Sequence, residues 1–284
     1  MKYLRRSVMK KILALVLALL MMTVMFAACG EKADTPADDT AADNNETKNE
    51  TTDLEYVLDK GVLVVGITDF APMDYEDENG NWIGFDADMA KAFADSLGVE
   101  VEFVEIEWGS KVMELDGKTI DCVWNGMTLT DEVKSAMECS KPYCNNAQVV
   151  IVNKDVADNY QTAEDCKELN FAVEDGSAGE DMAIENGFTY TAVLDQATAL
   201  FEVSSGTCDA AIIDSLMAAA MVGEGTGYEG LTYTASLNSE EYGVGFRKGS
   251  ELAEKLNAFF DAALADGSME ECAETYGVQA ALIK

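Results

Sequence analysis

From residue 62 onward, short runs of Val and Ile alternate with segments of helical period. Val62–Ile67, Val101–Ile106, Ile120–Trp124, Val149–Val152, Phe171–Val173 and Ala210–Ile213 are runs rich in apolar residues and read as buried strands. Between them, Asp86–Leu97 sets Met89, Phe93 and Leu97 at i, i+4 and i+8, on one face of a helix. Asp86 and Asp88 stand near its positive N-terminal end, and Gly98 can terminate it. Gln196–Ser205, Leu216–Val222 and Glu251–Ala265 read as further helices, the last with an apolar stripe of Leu252, Leu256, Phe260 and Leu264 that belongs to a core. Such alternation predicts an α/β fold with parallel sheets covered on both faces. No short-period repeat interrupts it, and periodicity alone leaves one lobe or two open.

The first 53 residues obey other rules. Lys2, Arg5, Arg6, Lys10 and Lys11 form a basic region, followed by an apolar run from Ile12 to Ala28 that is too short to favour a stable membrane span. The run ends Phe26-Ala27-Ala28-Cys29-Gly30, where small residues precede a cysteine. Residues 1–28 are therefore expected to be a signal peptide of lipoprotein type, with Cys29 lipidated after cleavage; the alternative is an ordinary signal peptide with an incidental cysteine. Met9-Lys10-Lys11 would itself make a compact start, and Met9 is the expected initiator. Residues 29–53 are Asp, Glu, Asn, Thr and Ala with almost no large apolar side chain, so they predict a disordered tether. The remainder, about 230 residues, suffices for one large or two modest domains.

Charge and residue usage narrow the chemistry. A net charge of −34 argues against nucleic acid and against adhesion to anionic lipid. The chain has no histidine, which removes His-based acid–base catalysis and the commonest metal ligand. Besides Cys29 there are six cysteines, none in a C-x-x-C pair, so no metal or cofactor site is expected. Cys139 and Cys144 are the nearest candidates for a disulfide, but Cys122 and Cys208 sit in apolar contexts that suit buried free thiols, and mostly free thiols are expected.

Polar and aromatic residues collect at the ends of the predicted strands, where open α/β sheets bind ligands. Phe70 follows the first strand and precedes Pro72; it can stack on an apolar or cationic group, or fill a core. Asp69 beside it can meet a ligand amino group or cap the turn. Trp108, before Gly109-Ser110, is either a wall of the site or helix–sheet packing; Trp124 reads as core. Asn125, Gly126, Met127 and Thr128 read as a polar turn offering an amide, a close backbone approach and a hydroxyl. Gly176-Ser177-Ala178-Gly179 precedes a helix at Glu180–Asn186, and its N–H groups suit an anion. Asp214 ends an apolar strand and can accept a cation or cap the helix from Ser215.

Val64–Met73, Gly84–Ala92, Ile120–Thr128, Asp175–Asp181, Cys208–Asp214 and Tyr242–Gly249, in that order, resemble the motifs of the bacterial extracellular solute-binding proteins of family 3, which feed polar amino acids to ABC importers. The resemblance implies a two-lobed periplasmic-binding-protein-like (type II) fold, with lobe one at 54–148 plus 246–284, lobe two at 153–241, a two-strand hinge and an interlobe ligand cleft. It implies Asp69, Phe70, Trp108, Asn125, Gly126, Met127, Thr128, Ser177, Ala178 and Asp214 as ligand-binding residues, with Asp214 receiving an α-ammonium. It further implies a non-catalytic, monomeric protein at the outer face of the cell membrane, lipid-anchored or periplasmic, delivering its solute to an ABC permease. The chain departs from the pattern at Val133, where the family places an Arg that clamps the α-carboxylate. Arg5, Arg6 and Arg247 are the only arginines, and Arg247 matches a position outside the site. Either Lys134, Lys111, Lys141 or the N–H groups near Ala178 and Gly179 hold the carboxylate, or the solute is an amine or other cation without one. A dehydratase-like enzyme and a receptor-linked sensor are the other functions compatible with this fold.

Overall fold

The computed structural model describes residues 51–284; the expected signal peptide, the expected lipidation at Cys29 and most of the expected tether lie outside the described residues. The first element of the described residues is helix α1 (Asp53–Lys60). Thr52 caps it, accepting from Glu55 N while Glu55 reaches back to the Thr52 N–H. Thr52 and Asp53, assigned to the tether by composition, are thus part of the fold, and Asp53 is held by Arg247 at 2.6 Å. That partner lies almost two hundred residues away, so local composition gave no sign of it.

Two sheets follow. The first contains β1 (Val62–Ile67), β4 (Glu100–Glu105), β5 (Cys122–Thr128), β6 (Glu138–Cys139), β7 (Cys144–Asn146) and β13 (Glu240–Phe246), in the order β4-β1-β5-β13-β6 with β7 also on β13. β1 runs parallel to β4 and β5, and β13 returns antiparallel. The hairpin β2 (Tyr75–Glu76) with β3 (Trp82–Ile83) lies between β1 and the next helix. The second sheet contains β8 (Gln148–Asn153), β9 (Asn170–Glu174), β10 (Thr189–Val193), β11 (Ala210–Asp214) and β12 (Leu231–Ser236), in the order β10-β9-β11-β8-β12. The chain passes between the sheets twice, at Asn146–Gln148 and at Ser236–Glu240. Each sheet with its helices is a lobe.

Lobe one is covered by α2 (Phe85–Leu97), α3 (Lys111–Asp116), α4 (Asp131–Ala136), α8 (Leu252–Asp266) and α9 (Ser268–Tyr276), and lobe two by α5 (Ala178–Asn186), α6 (Gln196–Ser205) and α7 (Ser215–Met221). Met89 and Phe93 of α2 are buried, as the period predicts, and so are Leu252, Leu256 and Phe260 of α8. Trp124 packs edge-on against Phe260 and tilted against Phe93, so it is core. Asp86, like Asp88, stands in the first turn of α2 as expected. It is fully buried and accepts from Gly126 N at 2.6 Å and Tyr143 OH at 2.7 Å, while Asp88 stays at the surface with Lys91. All six cysteines of the described residues are free, including Cys139 and Cys144. No helix of the described residues is long and apolar enough to cross a membrane, and no cluster of metal-ligating side chains occurs among them.

Candidate functional site

In the first sheet the chain proceeds from β1 outward to β4 and then back to β5 on the other side of β1; in the second, β9 stands in the same way between β10 and β11. Both arrangements open a crevice at the carboxyl ends of the central strands. A cavity of about 300 Å³ lies between the two crevices, lined by residues that follow β1, β4, β9 and β10 and by the ends of β5 and β11. Of the ten residues expected to bind ligand, it brings together nine: Phe70, Trp108, Asn125, Gly126, Met127, Thr128, Ser177, Ala178 and Asp214.

Asp69 is the exception. It is exposed and off the cavity wall, because Phe70 is the residue turned inward there, fixed by the Phe70 N–H donating to Asp74 O at 2.7 Å. Phe70 packs so tightly on Gly126 that a Cβ at that glycine would stand 2.3 Å from its ring. Gly126 also has φ +56°, so glycine is required there twice over. Asn125–Thr128 is not a turn: β5 continues to Thr128, distorted where its register with β13 shifts between Gly243 and Gly245. The Asn125 side chain is not free for a ligand either. Its amide donates to Thr68 O at 3.0 Å and Asp74 at 2.8 Å, and its oxygen accepts from the Thr68 N–H and hydroxyl. Met127 is buried, and Thr128 donates to Glu240 at 2.9 Å. Trp108 opens a short 3-10 turn and is 7% exposed, so it is both wall and packing.

On lobe two, Ser177 caps α5, accepting from Glu180 N at 3.2 Å, and Glu180 in turn accepts from Gly176 N at 2.7 Å. The first-turn N–H groups of Ala178 and Gly179 lack intrahelical acceptors, as at any helix start. Asp214 makes no side-chain cap for α7. Its carboxylate is buried and accepts from Tyr242 OH and Gln196 Nε2, each at 2.5 Å, and from Asn146 Nδ2. Two residues of this wall escaped the sequence reading. Glu174, the last residue of β9, is 3% exposed, and Gln196, the first of α6, lies between Glu174 and Asp214. An acid before Asp175-Gly176 reads as an exposed turn, and nothing local marks it as buried.

The lobes meet beside the cavity. Lys111 is the only Lys or Arg on the wall, and its ammonium donates across the lobes to Gly176 O at 2.8 Å and to Trp108 O at 3.2 Å. Burial lowers its pKa. Gly176 has φ +68°, and a Cβ there would lie 2.6 Å from Gly109 Cα, so the contact needs glycine. Lys134, exposed, and Lys141, paired with Asp261, are off the wall, whereas Val133 is on it.

Burial, then the neighbouring Asp214, raises Glu174 from 4.5 to about 8. Burial, then Glu240, raises Asp214 from 3.8 to about 7. Burial likewise raises Asp74 and Asp86. Such a carboxyl keeps, when folded, a proton that the unfolded chain has lost, so the stability it contributes falls as pH rises from the ordinary carboxylate range through about 8. The unliganded protein should melt higher at pH 5.5 than at pH 8, by more than about 4 °C for a domain of this size. Calorimetric melts across that range check this; a flat profile would show these carboxyls ionised throughout.

Comparison with known proteins agrees with this architecture. The model of the bacterial extracellular solute-binding proteins, family 3, matches residues 63–279. The L-cystine-binding protein TcyJ of Escherichia coli is 29% identical over 227 residues, covering 78% of this chain and 85% of that protein. The arginine-binding extracellular protein ArtP of Bacillus subtilis is 30% identical over 219 residues, covering 75% and 84%. A crystal structure of a mutant ArgBP from T. maritima superposes with a TM-score of 0.75 at 32% identity, covering 79% of this chain and 99% of that one. With the family match spanning both sheets and both crossings, the chain belongs to the bacterial extracellular solute-binding proteins of family 3.

Proposed function

We propose that this protein is the extracellular solute-binding component of an ABC importer and closes its two lobes around a polar amino acid. The observation that carries this reading is the cavity at the switch points of both sheets, with buried Asp214 on one wall and Phe70 and Trp108 on the other. Asp214 receives the α-ammonium, a charge-assisted contact strengthened by exclusion of water. With Val133 in place of an arginine, Lys111 has one N–H left for the α-carboxylate, beside the first-turn N–H groups of Ala178 and Gly179. Binding needs no turnover, and the solute is released unchanged to a permease. The protein acts as a monomer held at the outer face of the membrane through lipid on Cys29; loss from the membrane fraction in Cys29→Ser checks that anchor.

A thermal-shift screen of the free amino acids and simple amines tests the function. A ligand at one hundred times its Kd adds about 2.7 kcal/mol of stability. A response to amino acids but not to their decarboxylated amines supports the carboxylate contact. A response to amines alone favours a cation without a carboxylate, and no response to either class removes the proposal.

A further inference from the structure

Of the buried side-chain oxygens without a hydrogen-bond partner among the described residues, Glu174 Oε1 is the one on the cavity wall. The other Glu174 oxygen is reached only by the Gln196 amide, at 3.5 Å. Asp214 is different, since both its oxygens already accept. A buried acceptor left unmatched in this way calls for an incoming donor. Gln196 ties the two carboxylates together, one amide facing both, so once both have ionised a neutral donor at Glu174 would leave two like charges side by side. A cation satisfies Oε1 and offsets that repulsion. Phe70 also lines the cavity, while the Trp108 ring already carries Lys111 Nζ 4.9 Å from its centroid.

We infer that Glu174 is a second cation-binding carboxylate of the cleft, which selects solutes carrying a positive charge on the side chain in addition to the α-ammonium at Asp214. The inference rests on the solute-binding reading above. It places the α-ammonium at Asp214 and the side-chain cation at Glu174 Oε1, with the Gln196 amide keeping both carboxylates oriented. The remaining charged residues on the wall are Lys111, whose ammonium is held by Gly176 O and Trp108 O and attracted by Glu174, and Glu132, Glu180 and Asp181. Glu174 is thus the carboxylate deep in the cleft beside Asp214.

The experiment is calorimetric titration of the intact protein at pH 8 with L-arginine and L-lysine, each against a neutral counterpart, L-citrulline and L-norleucine. The wild type should prefer the charged member of at least one pair by more than about tenfold. Glu174→Gln, nearly isosteric, should bring that ratio close to one by weakening the charged member alone. Lowering the pH to 6 should shrink the wild-type ratio as Glu174 takes up a proton, a readout that needs no variant. A ratio unchanged in Glu174→Gln, or a wild type that prefers the neutral members, overturns the inference. Binding of other amino acids but none of these four overturns it and leaves the solute-binding function standing. No binding of any amino acid or amine overturns both.

Discussion

Replacing Asp214 with alanine should weaken solute binding by at least about 30-fold, since truncating one partner of a buried charge pair costs about 2–5 kcal/mol or more. The carboxylate is 5% exposed and lies on the wall of the cavity. Without it, an ammonium brought into the closed cleft leaves water and finds only Glu174. The same change also removes the acceptor of Tyr242, Gln196 and Asn146, so alanine should lower stability as well. Asp214→Asn separates the two effects. It keeps the shape and an acceptor oxygen for part of the donor set, so it should melt nearer the wild type. It lacks the charge, so it should bind as poorly as alanine. Titration and melting of both variants provide the check, and binding by Asp214→Asn within about threefold of wild type would show that the contact is not ionic.

The largest effect on stability belongs to Arg247, which lies away from the cleft. Its guanidinium is 9% exposed and donates to Asp53, to Asp121, and to the carbonyls of Leu115 and Ile120. Asp121 is completely buried, with Lys60 as its other cation at 2.5 Å. Removing one partner of a buried ion pair strands the other, a loss of about 3–5 kcal/mol. Arg247→Ala should lose that much in urea denaturation, and Arg247→Lys should recover only part, because an ammonium cannot reproduce a planar fork with this many donors. Solute affinity should be unchanged in whatever fraction remains folded. A loss below about 1 kcal/mol would place Asp121 in a more solvated setting than its burial indicates.

What could be read in the sequence was whatever depends on neighbours along the chain. The apolar runs located β1, β5, β9 and β11, and the period of Asp86–Leu97 located α2. The place of Phe70, Trp108 and Asp214 on the cavity wall was legible because the ends of apolar strands in an α/β fold face the crevice. The misread residues have distant partners. Asn125 looked like a ligand contact because its satisfaction by Thr68 and Asp74 comes from more than fifty positions upstream. Asp69 and Phe70 could not be told apart as inward and outward until the Phe70–Asp74 bridge fixed the turn. Glu174 was passed over because burial of a charge is decided by lobe closure and by Gln196, neither of which has a local signature.

The fastening of α1 to Arg247 and Asp121 has a mechanical corollary. The described residues begin on lobe one, and the last of them return there too, with Ile283 N donating to Tyr143 O and Asn145 N to Ala281 O. Lobe two is an insertion carried on two crossings, with neither end of the described chain in it. The hinge closure proposed above would therefore move lobe two relative to a lobe one that holds both ends of the described chain. A partner that senses occupancy must then read lobe two, or the angle it makes with its companion.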